Sequence, residues 1–283
     1  MLTLPQLLAG TLAALIAGTA AGQVLKRTGS SSAANINERI AAWWVLCVVT
    51  GTALMIGTGA VCVLFALFSS KALAEFVGGP KAAHIPLFVL TIAQYGLLLT
   101  PWRGVFPVLI PLVACFLPAR ECWGLMFATW CMSFAPALLT LDIPGYGGRG
   151  PTLLYYLLLV VESSDILQYI WGKLLGRHLI APHISPNKTW EGLLGGVSSA
   201  TALGTALFRA TPFTAWQAPA ICAAITLAGF AGGLTMSAIK RRRGIKDFGT
   251  IVKGHGGVLD RIDSLCFAAP VFFILVRQFF AFH

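Results

Sequence analysis

The chain has 283 residues, 57% of them hydrophobic and 11% charged, with a mean hydropathy of +0.80. This composition excludes an ordinary soluble globular domain and places the chain among integral membrane proteins. The net charge of +10 comes from 20 basic and 10 acidic residues, too few to be spread through long apolar runs, so it must concentrate in the loops.

Taken in order, apolar stretches long enough to cross about 30 Å of hydrocarbon lie near residues 4–25, 41–57, 59–78, 85–101, 104–119, 122–141, 152–171, 190–208, 217–236 and 264–282. The first has no positive segment ahead of it and ends in Lys26 and Arg27, which reads as a retained span and not a cleaved leader. Within it Gly10, Ala13, Ala14 and Gly18 would let a neighbouring helix approach closely. The stretches at 41–57 and 59–78 are separated only by Gly57, Thr58 and Gly59, and the second carries Lys71 and Glu75. One span plus an amphipathic helix is the alternative there. The expected fold is all-α and polytopic, with about ten transmembrane helices, because helices satisfy their own backbone hydrogen bonds in lipid. We expect an N-terminal set of helices over 1–150 and a C-terminal region with two polar loops over 151–283, in one continuous membrane domain.

With ten spans, 16 of the 20 basic residues fall on one side, against Arg103, Arg149, Arg209 and Arg277 on the other. The positive-inside bias then makes the rich side cytoplasmic. The seven cysteines lie in or beside apolar runs with no C-x-x-C pair and read as small buried residues.

Chemistry is suggested at three places. Glu162, Asp165 and Tyr169 share one helix face inside the seventh span, and a carboxylate there calls for a polar cavity or a partner. In the following loop Pro186 suits a first helical turn with Ser185 or a neighbour as cap, which would put Lys188 and Thr189 at an anion-binding helix start. His178 and His183 lack ligand spacing and read as loop residues. The third place, Ser237 to Ser264, gathers seven basic residues and three acids between apolar flanks. Gly254, Gly256 and Gly257 around His255 allow close backbone approach to phosphate. Asp260 and Asp263 start the last helix, where acids also suit the macrodipole. Together with Asp247 and the basic run they match what phosphoryl or nucleotidyl transfer needs. Arg242 and Arg243 read as headgroup contacts.

These residues resemble a known family. Ser237-x-Ile-Lys240-Arg241, Lys246-Asp247, His255-Gly256-Gly257 and Asp260-Arg261-Ile262-Asp263 are similar to the signature of phosphatidate cytidylyltransferases, the CDP-diacylglycerol synthases. Ser185-Pro186-x-Lys188-Thr189-Trp190-x-Gly192 and Asp165-x-x-x-Tyr169-x-x-Gly172-Lys173 resemble two further parts of that family. The wording around Glu162 to Tyr169 is closer to a bacterial paralogue group. Where the family has a metal-binding Asp, this chain has Gly233.

The resemblance implies transfer of the cytidylyl group of CTP to phosphatidate, with Mg²⁺ and room for a second cation. It implies catalytic roles for Asp260, Asp263, Asp165, Lys188 and Arg261, and metal binding by Asp260, Asp165, Asp263 and Asp247. Substrate binding falls to Ser185, Asn187, Thr189, Lys173, Ser237, Lys240, Arg241, Lys246, His255, Gly256 and Gly257. The implied partners are CTP, phosphatidate and membrane lipids, without nucleic acid and with a homodimer left open. The implied location is the bacterial inner membrane, with the site facing the cytoplasm. Two alternatives compete: a non-catalytic or altered paralogue that binds nucleotide or CDP-lipid, and an ion-coupled transporter built on Glu162 and Asp165.

Overall fold

The computed structural model of the chain describes residues 2–27, 33–79, 84–249 and 256–281. Helix α1 (Leu4–Arg27) turns back on α2 (Ala33–Ile56), and Trp44 Nε1 donates to Thr19 Oγ1 across the pair at 3.1 Å. The chain breaks at Gly57, whose φ of +131° few side-chain-bearing residues adopt, before α3 (Thr58–Val77). Of these two helices α3 is long and apolar enough to cross a membrane, whereas the apolar part of α2 is the shorter stretch Trp43–Ile56.

Helix α4 (Ile85–Leu97) meets the segment Pro101–Ala114, which includes α5 (Phe106–Ala114), at 116°. A single span runs from α6 (Ala119–Gly124) through a π-helical stretch at Leu125–Cys131 into α7 (Met132–Ala137). After α8 (Gly150–Leu175) the chain forms an antiparallel hairpin of β1 (Leu179–Ala181) and β2 (Ser185–Thr189). Helices α9 (Trp190–Ala206), α10 (Ala218–Arg242) and α11 (Leu259–Phe280) complete the bundle.

Among the described residues five helices are long and apolar enough to cross a membrane: Leu4–Val24, Thr58–Val77, Ala119–Thr140, Gly150–Leu175 and Ala218–Arg242. The bent α4–α5 pair brings the number to at most six. The protein is a helical membrane protein, and the expected ten crossings are not reproduced by length and composition. Two of the expected spans, 85–101 and 104–119, fall in that bent pair, and α9, with 17 residues, is short.

The small β-hairpin corrects the purely helical expectation and moves the start of α9. Pro186 sits in β2 and not in a first helical turn. Thr189 is the residue that caps α9, with an extended backbone and a side chain that accepts from Gly192 N at 3.1 Å. Gly196 lets α9 lie directly on α8, since a Cβ there would fall 2.7 Å from Gln168 Cα. The core is continuous from Phe65 and Leu73 on α3 through Leu125 and Met132 to Phe272 on α11, so both halves of the chain share one buried cluster.

Candidate active site

A polar cavity of about 270 Å³ opens where α8, β2, α9, α10 and α11 converge. Its wall carries Asp165, Tyr169, Ser185, Asn187, Lys188, Thr189, Gly233, Ser237 and Asp263, nine residues singled out from the sequence, together with Phe230 and Ser264. Asp165 faces it from the middle of α8, whereas Glu162, one turn earlier, lines a separate small cleft with Thr11, Trp43 and Tyr155. The expected shared face of three residues is therefore divided between two cavities.

The hairpin positions Lys188. Its ammonium stands over the Phe230 ring at 4.5 Å and lies 2.9 Å from where a Cβ at Gly233 would be. Burial pushes its pKa below the ordinary lysine value, and the carboxylates of Asp263 and Asp165 oppose that shift. Just past the same end of β2, in the first turn of α9, Glu191 accepts from Arg177 N at 3.0 Å and His178 N at 3.2 Å, and pairs with His178 Nδ1 at 2.5 Å. These bonds, the one from Arg177 N first, hold the Glu191 carboxyl at about 2. His178 thus helps pin the hairpin, a role its spacing in the sequence did not reveal.

Asp260 does not line the cavity. Its Oδ1 takes the Lys240 ammonium at 2.8 Å, and its Oδ2 accepts from Phe248 N and Gly257 N, both at 2.9 Å. It thereby clamps the loop after α10 to the start of α11, beside Gly256 with φ +81°. Arg241 Nε donates to Ile184 O at 3.2 Å, tying the end of α10 to the hairpin. Arg243 covers the Phe76 ring at 4.0 Å and donates to Phe76 O at 2.5 Å, so it is a packed structural residue and not the headgroup contact expected of it. Lys246, Asp247 and Arg261 are exposed and lie off the cavity wall. Lys173 lines a second, apolar cavity. His255 lies outside the described residues.

Glu75 on α3 is the residue that reading the sequence missed. Its Oε2 accepts from Leu259 N at 3.0 Å, and its side chain is 5% exposed. A Cβ on Gly249 would fall 2.7 Å from its carboxyl carbon, as would one on Gly257. An acid within an apolar run was the available signal, because such a residue needs a polar partner.

Among the described residues no group of three or more His, Cys, Asp or Glu could hold a metal ion. Asp165 and Asp263 are the two carboxylates that share one cavity, and Mg²⁺ characteristically uses one or two carboxylates plus substrate phosphates. That donor set fits such an ion. Gly233 adds no donor, and Asp260 is already engaged by three.

Residues 37–279 match the cytidylyltransferase family. A protein of Escherichia coli strain K12 described as the uncharacterized protein YnbB is 38% identical over 281 residues, covering 90% of this chain and 91% of its own. The phosphatidate cytidylyltransferase of Brucella abortus biovar 1 strain 9-941 is 41% identical over 127 residues, 44% of this chain and 47% of its own. That of Staphylococcus aureus strain COL is 38% identical over 132 residues, 46% of this chain and 51% of its own. The similarity thus spans about half the length of these two enzymes. On the match across most of its length, the chain belongs to the cytidylyltransferase family.

Proposed function

We propose that the protein is a phosphatidate cytidylyltransferase. A phosphate oxygen of phosphatidate attacks the α-phosphorus of CTP, the bond to the β-phosphate breaks, and CDP-diacylglycerol and pyrophosphate leave. The observation that carries this reading is the convergence of Asp165, Lys188 and Asp263, from three separate elements, on one polar cavity at the end of apolar helices. The incoming oxygen is already anionic, so no strong general base is needed. Positioning and charge neutralisation supply the catalysis.

In this scheme Lys188 neutralises phosphate charge, and Ser185, Asn187, Thr189 and Ser237 offer hydrogen bonds along the same wall. Asp165 and Asp263 would hold Mg²⁺, which when bound spreads the charge of the transferring phosphoryl group. Asp260, Lys240 and Glu75 keep the adjoining Gly256–Gly257 turn in place. The concentration of basic residues in the loops supports a cavity on the cytoplasmic side of a bacterial inner membrane, with α2, α9 and α11 crossing alongside the five long apolar helices. Pyrophosphate release from CTP by the purified protein, with and without phosphatidate and Mg²⁺, tests the proposal. Release that requires both additions supports it, and no release under any condition overturns it.

A second reading is favoured by Gly233. With no carboxylate there, the Lys188 ammonium lies beside the vacated position, as it would in a paralogue that binds nucleotide or CDP-lipid without turnover. Equilibrium binding of CTP or CDP-diacylglycerol in the absence of pyrophosphate release distinguishes that case.

A further inference from the structure

Beside the polar cavity runs a much larger one of about 970 Å³, walled by α1, α2, α8 and α9. Its size is at the upper end of what ligand pockets enclose, and its lining is overwhelmingly apolar. Tyr169 belongs to both cavities, and Lys173, one helical turn further along α8, stands on the rim of the larger one. On the α8 wall Ile166, Ile170 and Leu174 recur every fourth residue and are 37%, 41% and 70% exposed, a stripe only partly covered among the described residues.

The α1 wall is hollow for a specific reason. Gly10, Ala14 and Gly18 recur every fourth residue on the cavity side. The sequence suggested that such residues bring helices together, but a Cβ on Gly10 would meet nothing within 4 Å, and one on Gly18 only Ile40 Cδ1 at 3.8 Å. Here the small residues leave space and do not serve close packing. From Leu159 to Leu174 along α8 the cavity is about 22 Å deep at 1.5 Å per residue, more than the roughly 15 Å of hydrocarbon in one leaflet.

We infer that this groove is the seat of one acyl chain of the phospholipid substrate, with α1 setting the chain length it accepts. The inference rests on the reading of the polar cavity as the phosphate-handling site. Continuity through Tyr169 and the cationic rim at Lys173 commit the groove to an anionic glycerophospholipid, because a phosphate near those two residues has the apolar groove directly beside it. A neutral diacylglycerol or bulk lipid would gain nothing from Lys173.

Two measurements test it. In the first, kcat/KM for pyrophosphate release is compared between dioleoyl- and dihexanoyl-phosphatidate in wild type, Gly10→Phe and Ala14→Phe. Both positions line the groove, and a Cβ on Gly10 meets nothing within 4 Å; Val63→Phe, at a position 59% exposed on α3, is the control. Losing contact with a few methylenes should lower the long-to-short ratio by about ten-fold or more in the two groove variants and leave it unchanged in the control. A wild-type ratio in both groove variants overturns the inference.

In the second, phosphatidate carrying a photoactivatable group at its acyl terminus is irradiated with the full-length protein in detergent, and adducts are mapped by mass spectrometry. Adducts on α1 and α8, displaced by unlabelled phosphatidate and not by diacylglycerol, support the groove even if the wild type releases no pyrophosphate. Only the proposed turnover would then fail. Adducts elsewhere, or equal displacement by diacylglycerol, overturn the groove while leaving the turnover proposal standing.

Discussion

Restoring a carboxylate at position 233 probes the part of the site that departs most from the family signature. In Gly233→Asp the new Cβ would lie 2.9 Å from Lys188 Nζ, 3.5 Å from Ser264 Oγ and 3.7 Å from Asp263 Oδ2. The nearest group is the far end of a flexible side chain, so the change is sterically tolerable once Lys188 swings by a fraction of an ångström. Two opposing interactions follow, since a unit charge pair 4 Å apart at an effective dielectric of 20 is worth about 4 kcal/mol. Attraction to Lys188 and repulsion from Asp263 are of this same size and largely cancel.

A divalent cation doubles the attractive side and leaves the repulsion between the carboxylates unchanged. After desolvation we take the surviving gain as about 1.4 kcal/mol, a ten-fold increase in ion affinity. The assays are pyrophosphate release and thermal unfolding, each across a Mg²⁺ titration. The expected outcome is a half-saturating Mg²⁺ concentration about ten-fold lower in the variant, by both readouts. An unchanged Mg²⁺ dependence in the folded variant would refute the placement of the ion between Asp165 and Asp263. A sharp loss of activity with tighter Mg²⁺ binding would show that the chain works with a rearranged shell.

The neighbouring clamp gives three more expectations. Asp260→Asn breaks a pair whose side chains are 12% and 6% exposed and should lower stability by about 3 kcal/mol. Unfolding in detergent without divalent ions measures it, and unaltered stability would return Asp260 to a purely ligand role. Glu75→Ala removes the acceptor for Leu259 N and should cost about 1–2 kcal/mol, most of it recovered in Glu75→Gln because the amide oxygen still accepts. Faster amide exchange at Leu259 in the alanine variant alone is the signature to look for. Glu191 has a folded pKa of about 2 against 4.5 for the free side chain, so its hold on the hairpin is complete above pH 4.5 and disappears as the pH falls through 2. Exchange protection of the Arg177 and His178 amides should decline over that window, and Glu191→Gln should abolish the decline.

Much of this was legible in the sequence, because the signals were local. The break at Gly57 followed from a glycine between two apolar runs, and its φ of +131° explains why glycine serves there. Asp165 and Lys188 stood out as charges within or beside apolar sequence, and they line one cavity. The hairpin was not legible, because the fixed φ of proline suits a first helical turn and an extended strand equally. Pairing of Leu179 with Thr189 decides between them. Nor could Glu75 be assigned, since its partner Leu259 is 184 positions away. The α1 glycines carried a real pattern with two opposite meanings, close packing or open space, and only the position of the neighbouring helix separates them.

The charge on the cavity wall bears directly on whether this chain can turn over substrate. Two carboxyl groups, Asp165 and Asp263, share the wall with one ammonium, Lys188, so with both acids ionised the wall is negative before any polyanion arrives. Lys240, the neighbouring cation, is tied to Asp260 at 2.8 Å, and releasing it would leave the carboxylate that holds Phe248 N and Gly257 N without its cation. Lys188 alone therefore cannot offset both the wall and a nucleoside triphosphate. On the proposed reading, binding CTP at this cavity would draw in an additional cation with the nucleotide, and the two carboxylates are the groups that would receive it. In a family member with a carboxylate at 233 the wall would be more negative still and its hold on that cation stronger. Gly233 shifts the balance toward weaker ion binding, so nucleotide affinity in this protein should depend more steeply on Mg²⁺ than in its Gly233→Asp variant. A shallower dependence in the wild type would remove the carboxylate pair from the ion site.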